Sequence, residues 1–159
     1  MSDPGPAALR LLVPAEQILD GTVDLGSRGP RVAAVMTRSS LEDWTTWMTA
    51  LWCTVQVPGR PTQRSKLVVL RALQPPEVGA SAARVWNDLS RACHRHAYEL
   101  QPSAAEVKAL HAATFALLIR SVCRISATGA PGSAENFTGL VWTAYPPAGE
   151  DVLDTLPGT

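Results

Sequence analysis

Apolar residues recur at helical spacing along most of this chain, and most regularly between Ser81 and Ile125. With Val85 as the origin of a helical wheel, Leu89, Ala92, Cys93, His96 and Leu100 fall on one side, at steps of three and four. Asn87, Asp88, Arg91, His94 and Arg95 lie away from that side. Pro102 has no N–H and disfavours helical geometry in the residue before it, so this helix should end near Leu100. Ser103 can cap the next helix, and Glu106 completes a capping box. Val107, Leu110, Thr114, Leu117, Leu118, Ser121, Val122 and Ile125 then continue the period. A connection this short leaves the two helices antiparallel. The pattern therefore predicts a mainly α fold, a small helical bundle built on the pair 81–100 and 103–125.

Upstream, Pro14 suits the first turn of a helix that runs through Leu19 and ends near Asp24–Gly26. Residues 27–30, SRGP, read as a turn, and 31–36 as the opening of a helix or a short strand. Ser39 with Glu42, or Ser40 with Asp43, signals a helix start, and Trp44, Trp47, Met48, Leu51, Trp52 and Val55 follow on one stripe. The stretch 51–57 also alternates like a strand, and a second apolar run follows at Leu67–Leu70. A minor β-hairpin at 51–73 thus competes with a helix over 40–55. After SATGAPGS a short final helix is expected over 134–145. Residues 1–12, with two prolines and a glycine, read as a flexible lead-in, 13–145 as a single helical domain, and 146–159 as a flexible Pro/acid-rich tail.

A chain of 159 residues can bury about two-thirds of its unfolded surface in one domain. Fourteen basic and fourteen acidic residues cancel, so the global field does not draw the protein to nucleic acid or anionic lipid. Twelve of the basic residues are arginine and only Lys66 and Lys108 are lysine, a bias typical of G+C-rich bacterial coding. The three cysteines are widely spaced, no signal peptide is evident, and no segment reaches the roughly 20 apolar residues of a membrane span. These features predict a cytoplasmic protein with free thiols and no membrane contact.

Candidate chemistry concentrates in residues 90–99, SRACHRHAYE. Arg91 and His96 form R-x4-H, which resembles the signature of the HEPN ribonucleases, all-helical proteins that cut RNA without metal as dimers. The resemblance implies His96 as the acid or base at the 2′-hydroxyl and Arg91 as the phosphate clamp, although Ala92 stands where that family carries a polar residue. Cys93, His96 and His111 are a possible zinc set across the helix pair. Cys93 with either histidine is a possible thiol nucleophile. Packed core residues explain Cys93 and His96 with fewer assumptions.

Two further features concern binding. Trp44, Trp47 and Trp52 read as core, each able to bury about 150–250 Å², with an aromatic partner surface as the alternative. Arg60, Arg64, Lys66 and Arg71 lie in an acid-free window and form a candidate anion or nucleic-acid contact over residues 60–71. Walker A, GxGxxG, HExxH and GxSxG motifs are absent, and no cofactor is implied. The expected role is a non-catalytic cytoplasmic interaction or regulatory protein of a bacterium, with a protein partner and a possible homodimer. A HEPN-like ribonuclease is the second reading.

Overall fold

Small residues bring the first two helices together. The computed structural model of the protein describes residues 4–50, 61–94 and 101–127. Helix α1 (Pro4–Leu19) and helix α2 (Gly29–Ala50) run antiparallel, with Ala8, Ala15, Ala33 and Ala34 buried between larger side chains. At one end the buried Ser40 hydroxyl donates to the Ala8 carbonyl at 2.7 Å. At the other, Gly29 packs on Ile18, where an added Cβ would lie 3.2 Å from the Ile18 Cγ2. The reversal between them uses Gly21 and Gly26 at φ of 88° and 56°, and a 3-10 turn over Gly26–Arg28.

Helices α3 (Gln63–Leu73), α4 (Pro76–His94) and α5 (Ala104–Ala127) complete the described residues, among which there is no strand. Helix α4 runs against α2: the Trp86 indole N–H donates to the Glu42 Oε1 near one end, and Arg31 donates to the Cys93 carbonyl near the other. Helix α5 runs against α1. Lys108 lies within electrostatic reach of Asp20, just beyond the end of α1, and His111 meets the Leu12 carbonyl further along. So α1 and α4 point one way, and α2 and α5 point the other. Short α3 packs only on α2 and α4 among the described elements, at the end where α2 finishes.

Trp44, Leu12, Leu41, Met48, Leu70, Leu89 and Leu118 are fully buried and form the centre of the bundle. Apart from Ser40, several buried hydroxyls bond within their own helices, as Thr37 does to Ala33, Thr49 to Thr45, Thr114 to Leu110 and Ser121 to Leu117.

The structure differs from the sequence expectations in four places. Ser39 and Ser40, expected to start a helix, lie inside α2, which runs unbroken from Gly29 because Ala33, Ala34, Thr37, Ser40 and Leu41 continue its buried stripe. The lead-in expected over 1–12 is helical from Pro4, because Ala8, Leu9 and Leu12 share a face with Ala15 and Leu19 and are buried there. Pro14 sits inside this helix; its cost of about 3 kcal/mol is outweighed by the burial of that stripe. Residues 63–73 are helix, not the second arm of a hairpin: Leu67 and Leu70, three apart, are the buried pair, and that is a helical step. Residues 51–60, the other arm, lie outside the described residues. Helix α4 begins at Pro76, five residues before the expected Ser81, with Pro76 in the first turn, where its missing N–H has no partner to lose. The remainder of the expected helix, 95–100, and the helix and tail expected after Ala127 lie outside the described residues.

Candidate functional site

Helix α3 is held as a platform on the end of the bundle. Thr62 caps it, its hydroxyl accepting from the Ser65 N–H at 3.2 Å. The Gln63 side-chain amide donates to the Thr45 hydroxyl and the Lys66 ammonium to the Thr46 hydroxyl, each at 2.7 Å, which pins the first turn to α2. Leu67 and Leu70 bury the inner face. At the far end Gly79 of α4 lets the backbones touch, since a Cβ there would stand only 2.6 Å from the Arg71 Cα.

The solvent side of this platform carries Arg64, Val68 and Ala72, with Arg71 at its margin, where the stem of its side chain packs on Gly79 of α4; all four are exposed. Val68 is 64% exposed, and Leu73 at the last turn 56%. Neither Arg64 nor Arg71 has an acidic partner among the described residues. They stand two helical turns apart, about 10 Å along the axis. Lys66 points the other way, toward Thr46, and feels Asp43 of α2. Beside α3 a recess of about 200 Å³ opens between Thr46, Thr49, Ala50, Pro61, Ser65, Lys66 and Val69, almost wholly apolar. Arg60, the fourth basic residue of the sequence window, lies outside the described residues.

A second polar cluster binds α2 to α4. Arg38 pairs with Glu42 at 2.8 Å, donates to the His94 Nε2 at 2.9 Å, and places its guanidinium 5.6 Å from the centre of the Trp86 ring. The Trp86 indole N–H donates to the same Glu42 carboxylate at 3.1 Å. These contacts tie the two helices together across their polar edge.

The other candidate residues are dispersed. Arg91 is exposed on α4 and pairs with Asp88, while His96 lies outside the described residues. Cys93 is buried, and burial pushes its thiol above the usual range, with the Arg38 and Arg31 guanidiniums pulling back only in part. His111 is buried too, its Nε2 at 3.1 Å from the Leu12 carbonyl, so that nitrogen is engaged with α1. Among the described residues no three His, Cys, Asp or Glu side chains gather as a metal site. Trp44 and Trp47, taken as a partner surface in the alternative reading, are 2% and 8% exposed and belong to the core. Their spacing puts both on the inner face of α2, out of a partner's reach. Trp52 lies outside the described residues.

The state of Cys93 has a direct consequence. A buried thiol with a raised pKa offers little thiolate at neutral pH. Iodoacetamide should alkylate Cys93 in the native protein at least roughly ten-fold more slowly than in the denatured chain, as read by peptide mass spectrometry. Equal rates would return Cys93 to the list of nucleophiles.

No described helix is long and apolar enough to cross a membrane. Comparison with known proteins returns no matching family model, no matching curated protein and no matching solved structure.

Proposed function

We propose that this protein is a non-catalytic interaction module, and that the outer face of α3 docks an acidic, aliphatic segment of a protein partner. The observation that carries this is one helix face with two arginines lacking acidic partners among the described residues, flanking an aliphatic side chain that is nearly two-thirds exposed. Leaving Val68 in water forgoes burial worth about 1.5–3 kcal/mol for such a side chain. Covering it restores that term, while carboxylates on Arg64 and Arg71 form charge-assisted hydrogen bonds. A protein segment fits this face better than nucleic acid does. The chain is neutral overall, only two guanidiniums are presented, and no aromatic group stands on the arc for a base to stack on. A reducing bacterial cytoplasm suits three widely spaced cysteines and is part of this reading.

The test is selection from a displayed random-peptide library against the wild-type protein and against R64E/R71E, with circular dichroism to show that both are folded. Peptides enriched on the wild type should carry Asp or Glu beside Leu, Ile or Val. Their binding should fall at least about ten-fold on R64E/R71E and weaken with salt. Enrichment without acidic residues, or binding indifferent to the charge reversal, would overturn the proposal. So would an oligonucleotide binding through Arg64 and Arg71 in preference to every peptide.

A further inference from the structure

From the docking face just proposed we infer a built-in competitor: the chain's own stretch Glu150–Leu156, EDVLDTL, folds back and covers the outer face of α3. Three observations converge. The first is charge. Residues 128–159 contain four acidic residues and no Lys, Arg or His, and three of the four lie in this stretch beside Val152, Leu153 and Leu156. The exposed side of α3 is its complement, with Arg64 and Arg71, no acid, and Val68 exposed.

The second is where the chain leaves α5. His111 is level with Leu12, and Ala8 is level with Ser40. By the helical rise of about 1.5 Å per residue, Ala127 stands about 24 Å beyond His111, at the height where α2 finishes at Ala50. That is the end of the bundle on which α3 is seated, through Thr45 and Thr46. The chain emerges at the same end of the bundle as its target, although α5 and α3 do not touch, and not at the opposite pole. The third is reach. Twenty-two residues, 128–149, connect Ala127 to the acidic stretch. Even with 134–145 helical as the sequence predicts, the other ten residues can span up to about 33 Å, more than two helix diameters of about 10 Å each. An intramolecular segment on such a tether acts at an effective concentration on the order of millimolar. Weak pairing therefore suffices to hold it, and a partner of higher affinity displaces it.

Hydrogen exchange of the full chain at low salt, read by mass spectrometry, tests this. Amides of 150–156 should exchange at least about five-fold more slowly in the wild type than in R64E/R71E. The triple variant E150R/D151R/D154R should lose the protection, and combining the two sets of reversals should restore it. Free exchange in the wild type, or failure of the combined variant to recover protection, overturns the inference. Protection that grows with protein concentration and accompanies a dimer in sedimentation also overturns it, because the occupant is then a second copy. Binding of the acidic peptides selected on the face separates this inference from the reading on which it rests. E150R/D151R/D154R should bind them several-fold more tightly than the wild type. If both bind equally and 150–156 exchange freely, the self-docking fails and the docking face stands. If 150–156 are protected and no peptide binds either form, the face serves the chain alone and the partner reading fails.

Discussion

Replacing Trp44 by Ala should cost about 3–5 kcal/mol and lower the melting temperature by about 2–4 °C for each of those kcal/mol in a domain of this size. Trp44 is the largest fully buried side chain, 2% exposed on the inner face of α2, in one cluster with Leu41, Met48, Leu70, Leu89 and Leu118. Truncation removes the transfer free energy of the indole and leaves a cavity that several helices must close together. Trp44→Phe is expected to be much milder. The Trp44 Nε1 is buried and finds no acceptor among the described residues, so the smaller ring also removes an unsatisfied donor, worth about 1–3 kcal/mol in the opposite direction. Urea denaturation of both variants decides the matter. A loss below 1 kcal/mol for the alanine variant would mean that Trp44 is not packed among these helices at all.

The second large effect has a sign that local propensity gets wrong. Gly79 lies inside α4, where Gly→Ala ordinarily stabilises a helix by roughly 0.5–1 kcal/mol. Here the added Cβ would stand 2.6 Å from the Arg71 Cα, 2.8 Å from its Cγ and 3.1 Å from its Cβ. The side-chain atoms can move, but the Cα cannot without shifting α3 as a body. Overpacking of this kind costs about 1–3 kcal/mol, so Gly79→Ala should be destabilising overall. Amide exchange in 63–73 should accelerate more than in α1 or α5, because α3 is the helix pushed away. A Gly79→Ala protein more stable than the wild type would show that α3 and α4 do not meet here. The same variant bears on function, since a displaced α3 no longer presents Arg64 and Arg71 from a fixed platform.

Much of the bundle was legible in the order of residues. The stripe Val85, Leu89, Ala92, Cys93 and the stripe Val107, Thr114, Leu117, Leu118, Ser121 are buried as their three-and-four spacing requires. The stripe Trp44, Trp47, Met48 is core for the same reason. The N-terminal helix was equally periodic, at Ala8, Leu12, Ala15 and Leu19. Pro4, Gly5, Pro6 and Pro14 argue locally against a helix, and only burial against α2 overrides them. In 63–73 the run Leu67–Leu70 satisfies both a strand and a helix pattern, and the choice rests on Thr45, Thr46 and Gly79, which are distant in sequence.

The candidate site divides along the same line. That Arg64, Lys66 and Arg71 share an acid-free window is a property of the sequence alone. That Lys66 turns inward to Thr46 while Arg64 and Arg71 stay on the outer arc with Val68 is decided by which face α3 buries. The Arg38–Glu42 pair was readable as an i,i+4 contact, whereas Trp86 and His94 join it only because α4 lies against α2. Periodicity along one helix determines which side of it is greasy. It carries no information about the neighbour that side will meet, and it is the neighbour that left two arginines without an acidic partner among the described residues and a valine exposed beside them.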